Sequence, residues 1–392
     1  MGNIRRTLLL TQELTEQYPD ASILIVTGSP MIHDFRIPKG IDYIKLPCLD
    51  RIDVDCYEPQ YLPSCSTEVK RTRRTILEKA VLGFNPDLMI VDKQPAGVGS
   101  ELLDTLQAMQ RERCSTKLVL GVRDILDEPE RTRSSLRRAY FFETIMRYYN
   151  EVWIYGERSI FDPIREYGFP DAVARKTQFC GYLKRPTVVV PRNGGSPNVL
   201  VTAGGGGDGS KMIETYLEGL ADLSGPPAMQ TTIMFGPHMP ADCRAAMIGR
   251  YGDLSGVTFL DFESDLTRRY AEADVVVSMA GYNTVCELLS SGRRAVLVPR
   301  AEPVREQLMR ARLFAARGYF DLVEPQDLKP QVLLSKVRAA FERGPITKMP
   351  VDLGGLPRIR ERVRKLLRGG LSPLQQDCYD QDQLAVAALP MW

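Results

Sequence analysis

The sequence predicts an α/β protein built from two doubly wound parallel sheets, and three observations carry that prediction. Short β-branched apolar runs alternate with amphipathic stretches along most of the chain. A Pro- and Gly-containing interval, KRPTVVVPRNGGSP, interrupts the alternation near the middle. The second half then opens on a strand, a glycine loop and a helix in direct succession. With 392 residues, two cores are expected. The expected organisation is a first domain over residues 1–183, a linker over 184–197, a second domain over 198–345, and a helix and tail over 346–392.

In chain order, Ile4 to Tyr18 reads as an amphipathic helix with Ile4, Leu8, Leu9 and Leu14 inward, ended by Pro19-Asp20. Strands are expected at Ile23–Val26, Tyr43–Leu46, Leu88–Val91, Leu118–Val122 and Val152–Tyr155. Helices are expected at Thr67–Leu82, Glu101–Arg111 and Thr132–Arg147. Pro47 to Cys65 has no period and reads as a long loop. In the second half, Asn198–Val201 is a strand, Ala203–Ser210 a glycine loop and Lys211–Ala221 a helix. Strands follow near Thr231–Phe235, Val257–Leu260, Asp274–Val277, Ala295–Val298 and Tyr319–Val323. After Phe341 only a basic helix, Arg358–Arg368, is legible, and the tail from Ser372 reads as a loosely docked terminus.

Composition narrows the function classes. A net charge of +2 gives no electrostatic case for nucleic acid. No apolar run is long enough to span a bilayer, and arginines break the pattern of Met1 to Leu10, so a cytoplasmic protein is expected. The eight cysteines contain no C-x-x-C pair and the chain has two histidines, His33 and His238, so neither a disulfide framework nor a zinc centre is expected.

The most informative stretch runs from Asp274 to Gly318. Gly281, Tyr282, Asn283 and Thr284 follow a buried strand and open a helix, which aims backbone N–H groups at whatever lies beyond the strand end. The next strand stops at Pro299, and Pro303 is read as starting a helix that carries Gln307. Glu287 has two readings, a capping-box glutamate three residues after Thr284 or a ligand-facing carboxylate, and Gln307 is either solvated or ligand-facing. Together, at successive strand ends beside a glycine turn, they mark the place where such sheets bind ligands. The glycine loop AGGGGDGS is either a phosphate cradle or a tight turn. The following strand ends Phe235-Gly236-Pro237 without an acidic residue, so a dinucleotide site is not indicated. In the first half, Asp92 and the pair Arg123-Asp124 end strands, as site residues or as loop braces. The arginine-rich stretches Arg131–Arg138 and Arg358–Arg368 read as solvated faces or as contacts to phosphate or anionic lipid.

These residues resemble nucleotide-sugar glycosyltransferases of the GT-B fold. The resemblance lies in two α/β halves, the glycine loop, and the run A-G-Y-N-T-V-x-E-L-L-x-x-G followed by E-Q-L-x-R-A. Within that group the chain is similar to the peptidoglycan lipid-intermediate N-acetylglucosaminyltransferases (MurG-like), as a branch of predicted glycosyltransferases. The similarity is strongest over Val199 to Gly318 and extends more weakly to the first half through GNIRRTLLL, VTGSPM and GVRDILDEP. It implies transfer of a sugar from a UDP-sugar, UDP-N-acetylglucosamine among the donors, to an acceptor hydroxyl, with no cofactor or bound metal. Gly205, Gly206, Gly207, Asp208 and Gly209 would surround the diphosphate, Phe259 and Leu260 would meet the uracil, and Gly281 to Thr284 would approach the phosphates. Glu287 would hold the ribose and Gln307 the ribose or sugar. Gly207 stands where relatives often have Ser, and Glu306 where they often have His.

The acceptor is implied to meet the first half, with Asn3, Arg6, Asp92, Arg123 and Asp124 as acceptor-side candidates. A lipid-linked acceptor would bring peripheral contact with the inner membrane face. Relatives begin with a strand and a glycine loop bearing a histidine proposed as base. Here Asn3 stands at that position, and an amide cannot take up a proton at neutral pH. No base is therefore assigned, and the first sheet is expected to lack its first, central strand through a shortened start. A UDP-sugar 2-epimerase and a non-catalytic nucleotide-sugar-binding protein are the other readings.

Overall fold

The computed structural model describes residues 2–53, 56–138, 140–191, 195–205, 207–263, 265–344, 346, 350–368 and 384–390. The chain divides into two compact units. The first comprises Met1–Asp124, Pro129–Gly181 and Gly354–Trp392, and the second Ile125–Glu128 and Tyr182–Leu353. The chain enters as α1 (Gly2–Gln17), β1 (Ser22–Thr27), β2 (Ile41–Lys45), β3 (Leu49–Asp53), β4 (Cys56–Pro59), α2 (Ser66–Phe84), β5 (Leu88–Asp92) and α3 (Leu103–Arg111). It continues through β6 (Lys117–Arg123), α4 (Pro129–Arg138), α5 (Phe141–Tyr148), β7 (Glu151–Tyr155), α6 (Pro163–Glu166), α7 (Asp171–Lys176) and β8 (Thr177–Phe179). The second unit holds β9 (Asn198–Thr202), α8 (Ser210–Ala221), β10 (Gln230–Met234), α9 (Ala241–Tyr251), β11 (Val257–Leu260) and α10 (Thr267–Glu272). It is completed by β12 (Val275–Ser278), α11 (Tyr282–Ser291), β13 (Arg294–Leu297), α12 (Glu306–Ala316), β14 (Asp321–Leu322) and α13 (Pro330–Glu342). The last elements, α14 (Gly355–Arg368) and β15 (Ala385–Leu389), belong to the first unit.

The second sheet runs β11-β10-β9-β12-β13-β14, all parallel. Counted from β9, this is the doubly wound order 3-2-1-4-5-6, whose switch point lies between β9 and β12. Its strands are buried on both faces because helices cover both, which is why Val275, Val276 and Val277 are all fully buried instead of alternating. Val201, Ile213, Leu217, Val277, Val296 and Val337 form part of one contiguous core beneath this sheet.

The first sheet runs β2-β1-β15-β5-β6-β7-β8, again all parallel. Here the expectation of an unfilled central position is corrected. β15 lies between β1 and β5, with Ile25 in register with Ala388 on one side and Leu389 in register with Val91 on the other. If β15 is counted as first strand and α1 as the helix that follows it, this sheet has the same 3-2-1-4-5-6 order with β8 added. The backbone groups of β1 and β5 thus gain partners, as buried strands require. Val386 and Leu389 are fully buried and Ala387 and Ala388 nearly so. The loosely docked terminus is corrected with it for Leu384–Leu389; the rest of the tail, residues 372–383, 391 and 392, lies outside the described residues.

Several local expectations also change. The inward face of α1 is Ile4, Arg6, Thr7, Leu10, Thr11 and Leu14, so Arg6 and two threonines face the sheet where Leu8 and Leu9 were expected. The segment expected as a loop after Pro47 contains the antiparallel hairpin β3–β4. The helix expected over Thr132–Arg147 is two helices, with Tyr140 left-handed at φ 49° between them. The arginines of α14 dock it within the first unit: Arg360 pairs with Glu13, Arg362 with Glu151, and Arg358 donates to the Cys180 carbonyl.

Candidate functional site

In the second unit, the carboxyl ends of β9 and β12 each lead into a glycine turn and a helix start. After β9, Gly204 is left-handed at φ 63° and its N–H donates to Thr202 Oγ1 at 3.3 Å. The Gly205 carbonyl accepts the His238 N–H at 3.0 Å, which ties the loop to the end of β10. Gly209 packs so closely on Ala203 that a Cβ there would lie 2.3 Å from the Ala203 Cβ, whereas a Cβ at Gly207 would meet nothing within 4 Å. Gly206 lies outside the described residues. After β12, Gly281 is the N-cap of α11 with no side-chain cap. The two turns meet: Thr284 Oγ1 is 3.6 Å from where a Cβ on Gly204 would lie and 3.8 Å from one on Gly281. Gly204 and Gly281 therefore face the same side chain, beside the start of α11, whose first N–H groups carry partial positive charge.

The capping-box reading of Glu287 is corrected by this geometry. The cap is Gly281, so Thr284 is already helical and Glu287 lies well inside α11. Glu287 is 7% exposed. Pro303 does not start a helix; it follows Glu302 in a cis peptide, and α12 begins at Glu306. Gln307 is 8% exposed, and its Oε1 is buried with no hydrogen-bond partner among the described residues. A buried amide oxygen without a donor costs about 1–3 kcal/mol.

Residues the sequence reading did not single out hold this arrangement. Arg310, fully buried, donates from Nη1 to the Ala280 carbonyl at 2.9 Å and to Glu306 Oε2 at 2.7 Å. Its guanidinium lies 5.9 Å from the ring centroid of Tyr282, which stacks on Tyr182 at 6.2 Å. Arg310 thereby fixes α12, and Gln307 with it, against the turn that opens α11. Glu306 is spent in that ion pair. Asn283 Oδ1 accepts from Arg185 Nη2 at 2.6 Å, with both residues buried, which puts a cation beside the start of α11. The Arg305 N–H donates to Asp127 Oδ1, and its Nη1 to Glu128 Oε1, both at 2.9 Å. The signal for Arg310 was its place in E-Q-L-x-R-A; Arg185, Asp127 and Glu128 gave none, because their partners are distant in sequence. Phe259 stacks on Phe235 at 5.8 Å, and the Leu260 carbonyl accepts the Phe235 N–H at 2.9 Å. Asp208 forms an ion pair with Arg300.

In the first unit, the corresponding switch point lies between β15 and β5. Arg6 on α1 pairs with Asp92 at the end of β5, and its Nη2 also donates to Asn3 Oδ1 at 3.1 Å. The guanidinium lies 5.7 Å from the ring centroid of Tyr155, whose hydroxyl burial holds well above its ordinary range, with the Asp92 carboxylate adding to the effect. A Cβ at position 121 would lie 2.2 Å from the Tyr155 Oη, so Gly121 makes room for that ring. Arg6, Thr7, Thr11, Asp92, Tyr155 and Ala388 of β15 line a small cavity here. Asp92 is 5% exposed and its Oδ1 is buried with no hydrogen-bond partner among the described residues. Arg123 is half-buried at the end of β6, and Asp124 is 2% exposed, packed under Gly156. Among the described residues no group of three or more His, Cys, Asp or Glu is placed to hold a metal ion, and no helix is long and apolar enough to cross a membrane.

Two Rossmann-like units, the second with paired glycine turns at its switch point, define the class: a protein of the GT-B fold. Residues 198–350 match the model of the glycosyltransferase family 28 C-terminal domain. A curated relative from Actinobacillus pleuropneumoniae serotype 5b, named UDP-N-acetylglucosamine--N-acetylmuramyl-(pentapeptide) pyrophosphoryl-undecaprenol N-acetylglucosamine transferase, is 28% identical over 198 residues, 47% of this chain and 52% of the relative. The chain thus matches about half of that relative's length, and 34% of one from Haemophilus influenzae strain PittEE with the same name. Among solved structures, the calicheamicin glycosyltransferase is similar with a TM-score of 0.57 and 17% identity over 94% of this chain and 95% of that one. A putative UDP-N-acetylglucosamine 2-epimerase from Listeria monocytogenes has a TM-score of 0.60 and 10% identity over 95% of each chain. At these identities the two structures bear on the fold.

Proposed function

We propose that this protein transfers a sugar from a UDP-sugar to an acceptor hydroxyl. The observation that carries the reading is the meeting of the two glycine turns at Thr284, within a domain of the glycosyltransferase family 28 type. In this reading the loop around Gly204, Gly205, Gly207 and Gly209 and the N-terminus of α11 receive the diphosphate. Their N–H groups, with the Arg185 cation nearby, favour the charge that builds on the leaving group as the glycosidic bond breaks. Glu287 accepts from the ribose hydroxyls, and the carboxamide of Gln307 reaches the ribose or the sugar. Phe259 and Leu260 face the base. The donor we favour is UDP-N-acetylglucosamine, and the acceptor class a lipid-linked pyrophosphoryl sugar, as in the relatives' names. No bound cofactor or metal is required by this scheme. On the acceptor side, Asp92 Oδ1 is the oxygen available to a hydroxyl, with Arg6 orienting the carboxylate from its other oxygen. Access of such an acceptor implies work at a membrane surface.

Calorimetry with UDP tests the donor half. The whole chain is expected to bind UDP, with Glu287→Ala and Gln307→Ala each weakening it about 10- to 100-fold, the loss of a hydrogen bond or two to a buried partner. Absence of UDP binding sinks the reading. Asp92→Asn is expected to keep UDP affinity and lose transfer to the lipid-linked acceptor. UDP binding with no turnover on that acceptor would leave a binding protein, and C2 epimerisation of UDP-N-acetylglucosamine alone would make it an epimerase.

A further inference from the structure

The ion pair between Asp208 and Arg300 joins two loops that are not neighbours in the sheet. Asp208 precedes α8, at the end of the glycine loop that follows β9. Arg300 lies just beyond the carboxyl end of β13. Between β9 and β13 runs β12, so the two anchor points are separated by two strand spacings, about 10 Å. Asp208 adjoins Gly209, where a Cβ would lie 3.6 Å from Met279 Sδ just past β12, so the pair links the loops on either side of the carboxyl end of β12, from which Gly281 opens α11.

Its chemistry is unusual for that position. A carboxylate in a phosphate-binding loop repels a diphosphate, and here its charge is neutralised by Arg300. The Arg300 guanidinium has a further donor in hand, because its Nε is buried with no partner among the described residues. The side chains are 48% and 30% exposed, so neither is locked in a packed core and the pair is free to open. A guanidinium prefers a multiply charged phosphate group to a single carboxylate, since it then makes two charge-assisted hydrogen bonds to the stronger anion.

We propose that Arg300 grips the donor's diphosphate and that Asp208 is its exchangeable counter-ion, held on Nη1 until the donor displaces it. This rests on the nucleotide-sugar reading of the same site. It makes Arg300 a residue that selects for the diphosphate, and Asp208 a brake on binding.

The test is titration of the whole chain with UDP and, separately, with uridine, which lacks the phosphates. Arg300→Ala is expected to weaken UDP at least 10-fold and to leave uridine unchanged. Asp208→Asn is expected to tighten UDP several-fold, again without effect on uridine. Arg300→Lys, which keeps the charge but loses the fork, should fall between the wild type and Arg300→Ala. Thermal melting of each variant within a few degrees of the wild type certifies that the fold is retained. If the wild type binds UDP but both variants weaken it alike, or move uridine as much as UDP, the pair is only a loop brace and the inference fails alone. If the wild type does not bind UDP, the nucleotide reading fails and takes this inference with it.

Discussion

Asp87 and Ala385 exchange two hydrogen bonds across the first sheet: the Ala385 N–H donates to Asp87 Oδ2 at 2.9 Å, and the Asp87 N–H donates to the Ala385 carbonyl at 2.8 Å. This is where the last strand of the chain is registered against β5. It means that the central position of the first unit, and one wall of the cavity at Arg6 and Asp92, depend on residues almost 300 positions away in sequence, as the 298-residue separation of Asp87 and Ala385 records.

Val386→Asp therefore places a carboxylate in the middle of that sheet with no partner. We expect a loss of about 3 kcal/mol or more, read as a fall in melting temperature of roughly 6–12 °C. Val189→Asp, at a residue 95% exposed, should leave the melting temperature unchanged. Equal effects at the two positions would argue against a central β15.

Gly209 and Gly207 sit two residues apart in one loop but face different surroundings. Gly209→Ala must displace Ala203, which deforms the cradle, and should weaken UDP by about 10-fold, at a cost of about 1–3 kcal/mol for overpacking. Gly207→Ala meets nothing within 4 Å and should leave the thermal stability of the chain unchanged, where Gly209→Ala lowers it. Calorimetry on the two variants side by side checks this.

Arg310 and Glu306 form a buried pair, so their contribution is best measured by removing one partner and then both. Arg310→Met leaves the Glu306 carboxylate uncompensated and should cost about 3–5 kcal/mol in chemical denaturation. Adding Glu306→Leu should recover most of that loss, while UDP affinity stays reduced because α12 has lost its tie to Ala280.

Much of the second unit was legible because its signals are local. A β-branched run, a glycine turn and a helix start occupy adjacent residues, and their order along the chain is their order in a doubly wound sheet. That locality placed the glycine loop, Gly281 and Gln307 from residue types alone. The break at Tyr140 and the late start of α12 were not legible, since each depends on backbone angles that several residue types tolerate.

What the sequence by itself determined was the class of the fold and the glycine-turn architecture of the second unit, because short-range periodicity and glycine placement dictate both. What only the tertiary structure decided was the completion of the first sheet by β15, the tie of Arg310 to Ala280, and the pairing of Asp208 with Arg300. The physical reason is the same in each case. Pairing between strands and between buried charges is set by proximity in space, and five residues such as Ala385–Leu389 carry no mark of which strands will lie on either side of them.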